Sequence, residues 1–110
     1  MFHKPIVDHR IYNITPRCMP RFLEVFDQLA MPILKKHLGE PLGFYISHIG
    51  TLNQVVHLWG YDSLDDYEKR SYARDTDPDF QIYLKASEGL VMSQVNQILR
   101  PVNLASLIKP

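Results

Sequence analysis

Two histidines, His48 and His57, are the side chains in this sequence best suited to chemistry near neutral pH, because imidazole is the group that changes charge there. His57 stands two residues before the single tryptophan, Trp59. A hairpin that sets Ile49 opposite Gln54 also sets His48 opposite Val55, Ile46 opposite His57 and Phe44 opposite Trp59. His48 and His57 then lie diagonally on one face, about 7–8 Å apart between backbones. Such a pair could form a polar site in an apolar pocket, with a histidine as ligand or His57 as a general base. It could equally be a hydrogen-bonded pair in the core, since buried polar groups are paired for structural reasons alone. Trp59, Tyr61, Tyr45, Tyr12 and Phe44 could wall a pocket for a flat aromatic molecule, or simply pack, as aromatic side chains do in cores and interfaces. Arg10 and Asp8 share a side of the first strand with Tyr12, where they could orient a ligand or pair across a subunit boundary.

Other chemistries find no support in the sequence. The five histidines, His3, His9, His37, His48 and His57, show none of the close metal-ligand spacings, and no cysteine pair backs them. No metal and no cofactor is expected. Cys18 is the sole cysteine; it precedes a helix start but has no recognisable partners, and is read as an unreactive thiol in a reducing compartment. There is no glycine-rich phosphate loop and no nucleophile elbow. Twelve basic residues balance twelve acidic ones, which removes the electrostatic footprint of a nucleic-acid binder. No apolar run is long enough to span a bilayer, and no leader is visible at the N-terminus, so a cytoplasmic location is expected.

The chain of 110 residues fits one domain. Val7 to Thr15 is β-branched and aromatic and stops at Pro16, which predicts a strand. Phe22, Phe26, Leu29 and Ile33 recur at helical spacing, predicting a helix over Met19 to His37 that Pro32 bends or splits. Leu42 to Ile49 and Gln54 to Tyr61 are predicted as a hairpin, its turn held by Asn53 and Gln54. Ser63 is placed to cap a helix from Leu64 to about Arg74, and Asp77-Pro78 to start a second that ends near Gly89. Val91 to Leu99 is the last strand. The segment 101–110, with Val102, Leu104, Leu107 and Ile108, is apolar enough to dock on this chain or on a partner.

The order βαββαβ is ferredoxin-like: an α+β fold with one antiparallel sheet and helices on one face. Alternation puts Leu42, Phe44, Ile46, His48, Val55, His57, Trp59 and Tyr61 on one side of the hairpin. Gly43, Tyr45, Ser47, Ile49, Gln54, Val56, Leu58 and Gly60 take the other. Neither side is charged, whereas a solvated sheet face alternates cleanly with polar residues. The second face is therefore expected to meet another subunit. Which face meets the helices stays open: Gly43 and Gly60 would let helices approach closely, and the His57 and Trp59 side would then line the interface or an internal pocket.

The segment Ile49-Gly50-Thr51-Leu52-Asn53-Gln54-Val55-Val56-His57-Leu58-Trp59, with Leu42-Gly43-Phe44 before it and Tyr61-Asp62-Ser63-Leu64 after it, closely resembles the NIPSNAP signature. Compatible pattern runs from Arg10-Ile11-Tyr12 to Ser93-Gln94. The resemblance implies a dimeric α/β barrel, and it places His57 inside the signature without assigning it a role. Relatives of that fold include small monooxygenases that work without conventional cofactors, haem-degrading enzymes, and binding or sensor domains. Two functions follow as expectations. One is a homodimeric domain that binds a small hydrophobic or aromatic ligand, or a protein partner. The other is a small monooxygenase-like or isomerase-like enzyme with His57 as base and Tyr45, Trp59 and Tyr12 positioning the ring.

Overall fold

The structure, a computed structural model, describes residues 4–107; His3 and Ile108 to Pro110 lie outside the described residues. Strand β1 (Ile6–Ile14) leads to helix α1 (Met19–Val25), a π-helical turn (Phe26–Ala30) and helix α2 (Met31–Leu38). Strands β2 (Gly43–Ile46) and β3 (Gln54–Tyr61) follow, then α3 (Leu64–Asp75), α4 (Pro78–Ala86) and β4 (Val91–Leu99). The sheet order is β2-β3-β1-β4, with every neighbouring pair antiparallel. This is the ferredoxin-like arrangement, each helical crossover being made of two helical pieces.

Local chemistry explains the pieces. Pro32 supplies no backbone donor inside the first crossover. The helix widens just before it instead of breaking, and the Met31 amide bonds the Phe26 carbonyl five residues back. The Ser63 hydroxyl accepts the Asp66 amide at 3.0 Å and starts α3; the Asp77 carboxylate accepts the Asp79 amide at 2.9 Å and starts α4. His37 Nε2 lies 2.8 Å from the other Asp77 carboxylate oxygen, so the end of α2 is tied to the start of α4. The core lies where Phe22, Phe26, Leu34 and Leu38 from the first crossover and Tyr83 from α4 meet Tyr12, Val55, Trp59 and Tyr61 of the sheet.

The structure corrects the expected hairpin. Strand β2 stops at Ile46, not Ile49, and residues 47–53 form a wider loop. Gly50 (φ 116°) and Asn53 (φ 59°) turn that loop through left-handed backbone, and the Ser47 amide closes it on the Gln54 carbonyl at 2.9 Å. The register is consequently displaced by two: Phe44, not Ile46, pairs with His57, and Ile46 pairs with Val55. An even displacement leaves the two faces unchanged. His48, however, leaves the strand for the exposed loop, and the diagonal pair with His57 does not form.

The structure also decides which face meets the helices, a choice the sequence leaves open. Val55, His57, Trp59 and Tyr61 are all buried on the helix side, and Gly43 and Gly60 lie on the other. A side chain at Gly60 would meet Lys4 and Leu42, and one at Gly43 would meet the ring of Tyr45, so neither glycine makes room for a helix. The helices deliver large aromatic side chains, and the aromatic row of β3 is the face that interlocks with them. The open face carries half-buried Val7, Ile11, Val56 and Leu58, with Tyr45 58% and Val95 59% exposed. In the C-terminal segment Val102, Leu104 and Leu107 are exposed and do not enter this core. Among the described residues no helix is long and apolar enough to cross a membrane.

Candidate functional site

A cavity of about 260 Å³ lies between the sheet and the helices. Its floor is Arg10 and Tyr12 of β1, His57 and Trp59 of β3, and Gln94 of β4. The sheet register sets Arg10 beside His57, Asp8 beside Trp59, and Gln94 beside Tyr12. Phe26, Leu34 and Leu38 wall one side; Arg74, Asp75, Phe80, Tyr83 and Leu84 wall the other.

His57 is the central polar group. It is 1% exposed, and its ring is boxed by Tyr12 (centroids 4.6 Å, edge-on), Phe44 (5.0 Å) and Phe26 (5.7 Å). Nδ1 of His57 accepts the indole N–H of Trp59 at 2.8 Å. An indole nitrogen only donates, so Nδ1 holds a lone pair there; turning the ring over would set a carbon against that donor. Burial, then the charges of Arg10 and His9, push the His57 pKa down from 6.5 to about 3. The ring is therefore neutral, with its proton on Nε2. That nitrogen is buried with no hydrogen-bond partner among the described residues. One nitrogen accepts from Trp59 and the other carries the proton.

The charges near the cavity cancel. An Arg10 guanidinium nitrogen lies 2.9 Å from one oxygen of Asp8, and Asn96 donates to the other at 3.0 Å. Burial works against the Arg10 charge, but Tyr12 and Asp8 beside it outweigh burial and raise its pKa. Arg10 Nε also donates to the Tyr12 hydroxyl at 3.3 Å. Arg74 pairs with Asp75 at 2.9 Å and lies over the Phe80 ring. Burial raises the pKa of Tyr83, so its phenol is neutral too. The cavity presents an apolar, aromatic, electrically balanced surface. Among the described residues no cluster of three or more His, Cys, Asp or Glu could hold a metal.

Of the residues singled out in the sequence, Arg10, Tyr12, His57 and Trp59 converge on this cavity. Phe44 packs behind Phe26 and lines a separate outer groove of about 500 Å³ with Leu23 and Met31. Tyr45 lies on the open sheet face and His48 in the exposed loop, so neither joins His57. Gln94, Arg74, Phe80 and Tyr83 were not read as site residues. Phe80 and Tyr83 stand three residues apart on α4, but nothing local to α4 says which strands it covers.

The neutral state of His57 predicts a pH dependence. Between pH 6.5 and about 3 the unfolded chain takes up a proton at His57 that the folded chain refuses. Stability therefore rises with pH across that window and falls on acidification, by about 1.4 kcal/mol per unit from this group. Urea melts from pH 6.5 to 4.5 are expected to show this slope in the wild type and a flatter one in His57→Leu. Parallel curves would show that His57 is not held neutral.

The profile of the NIPSNAP family matches residues 7–106. A crystal structure of a NIPSNAP family protein with unknown function from Agrobacterium tumefaciens is 30% identical, covers 98% of this chain and 97% of that one, and has a TM-score of 0.86. A NIPSNAP-like domain protein from Burkholderia xenovorans is 34% identical over 99% of this chain and 92% of its own, also with a TM-score of 0.86. A NipSnap homologue from Dictyostelium discoideum is 47% identical over 32 residues, which are 29% of this chain and 14% of that protein. The match thus spans only a small part of that curated relative's length. A candidate antibiotic biosynthesis monooxygenase from Nitrosomonas europaea shares the fold alone, at 9% identity and a TM-score of 0.64. With the family profile covering nearly all of its length, and full-length structural relatives matching its sheet and helices, this chain belongs to the NIPSNAP family.

Proposed function

We propose that this protein is a homodimeric binding domain for a small, neutral, largely aromatic molecule. The observation that carries the reading is the cavity of about 260 Å³ between the sheet and the helices, walled by Tyr12, Phe26, Trp59, Phe80 and Tyr83. The aromatic walls favour a flat molecule, and a cavity of about 260 Å³ accommodates two fused rings. The internally paired Arg10–Asp8 and Arg74–Asp75 leave no net charge to attract an ion. The uncovered sheet face with Ile11, Val56, Leu58, Tyr45 and Val95 supports the second copy, since a mixed apolar face of this kind is stabilised by burial.

Trp59 is the only tryptophan and touches His57, so its fluorescence reports on the site. Titration with 1-acetonaphthone is expected to change the emission saturably. Light scattering on the same sample should give twice the chain mass. No saturable change in emission rejects the ligand reading; a monomer rejects the dimer.

A further inference from the structure

We propose that two copies of this chain meet through the open sheet face, and that His9 at the centre of that face makes the contact depend on pH. The dimer holds near neutral pH and separates into folded copies on acidification. The inference rests on the dimeric reading above; it adds where the copies meet and which residue controls the contact.

His9 stands mid-strand on β1, between Leu58 of β3 and Gln97 of β4. Val7 and Ile11 flank it along the strand on the same face, and it lines a depression there with Ile11, Val95 and Gln97. The register puts no Asp, Glu, Lys or Arg at any ladder position of this face. A two-fold contact sets a patch against its own copy, so a net charge on the patch would meet its like; these positions offer none. Strands of up to nine residues, four abreast, bury about 1,000 Å² over two copies, the size at which specific contacts begin.

Imidazole is the side chain that gains charge between neutral pH and pH 5. In the separate chain His9 is half-buried, with water on its open side. In the dimer that water leaves, and the facing copy brings the same uncharged ladder positions, so no carboxylate arrives to match a proton. The neighbouring charges lie elsewhere. Asp8 points to the helix side, held by Arg10 and Asn96. Lys4 and Asp62 pair with each other at 2.8 Å beyond the Tyr61 end of β3, and Arg100 follows β4 at that same end. His48 lies in the loop at the opposite end, and Tyr45 is the other titratable group on the face itself. The dimer therefore binds fewer protons than two separate chains, and association weakens as pH falls.

Sedimentation equilibrium at pH 7.5, 6.5 and 5.5 measures the dissociation constant. For the wild type it is expected to rise at least about tenfold from the highest pH to the lowest, since a proton refused at each of two imidazoles gives up to about a hundredfold per pH unit. Circular dichroism at pH 5.5 should show the separated chains still folded. His9→Gln, polar but unable to titrate, should keep a dimer of the same strength at all three pH values; His9→Leu takes its place if the glutamine variant does not fold. Val95 faces Ile11 across the ladder and is 59% exposed, so the single chain tolerates Val95→Lys. The contact does not, because each copy would bury an unpaired charge, and this variant should be monomeric where the wild type is dimeric. A wild-type dimer indifferent to pH overturns the role of His9, as does the same pH dependence in His9→Gln. A Val95→Lys dimer as tight as the wild type overturns the location of the contact. Unfolding that tracks the loss of mass overturns release of folded copies. A wild type that is monomeric at pH 7.5 rejects the dimeric reading itself, and this proposal with it.

Discussion

Asp8→Ala is expected to destabilise the protein by about 3–5 kcal/mol, the cost of breaking a buried ion pair by removing one member. Asp8 is 1% exposed, and both of its carboxylate oxygens are engaged. Its loss strands the Arg10 guanidinium, whose side chain is only 17% exposed, and removes the acceptor of Asn96. These contacts join β1 to β4, the edge strand otherwise held mainly by its ladder. Urea melts at neutral pH measure the loss. The double variant Asp8→Leu with Arg10→Met should recover much of it, because an apolar pair of similar size avoids desolvating either charge. A loss below about 1 kcal/mol for Asp8→Ala would mean that Arg10 finds water when its partner is gone.

Phe26→Ala is expected to cost about 3–5 kcal/mol as well, by a different route. The Phe26 ring contacts Phe22, Phe44, His57 and Tyr83, with centroids 5.2–5.7 Å away. It also lines both the inner cavity and the outer groove, so it is the partition between them. Truncation should open one space into the other. The variant is then expected to bind 9-acetylanthracene, a three-ring ketone too large for the cavity of about 260 Å³ in the intact protein. Thermal melts and calorimetry check the two halves. Phe26→Leu, a smaller truncation, keeps the fold if the alanine variant does not. A stable Phe26→Ala protein that still excludes the larger ketone would show that the surrounding side chains collapse into the gap.

Much of the fold is legible from local rules. The bounds of β3 and β4 follow from β-branched and aromatic runs between turn residues, and the structure places both where the sequence predicts. Ser63 and Asp77 start helices because a short side-chain oxygen can accept an amide in the first turn. Pro32 perturbs the first crossover because it has no donor, though the sequence does not say that the response is a π turn. Alternation alone put Arg10 with Tyr12 and His57 with Trp59, because β1 and β3 are regular and a strand's period fixes which residues share a side; the register of β1 on β3 then brought the two pairs together.

What lay beyond the sequence depends on partners far along the chain. The end of β2 is set by a loop whose left-handed residues, Gly50 and Asn53, allow more than one closure; the one adopted moved His48 out of reach. Both faces of the hairpin are uncharged, so their composition did not tell which one the helices cover. The answer came from Phe22, Phe26 and Tyr83 interlocking with the aromatic row of β3. The cavity likewise needs α4 to bring Phe80 and Tyr83 over β1 and β4 to bring Gln94 beside Tyr12. The residue types of His57 and Trp59 and their spacing put two nitrogens on one face of a strand. Only the tertiary packing, by burying both rings and orienting one against the other, made His57 a neutral ring with Nδ1 engaged by the indole.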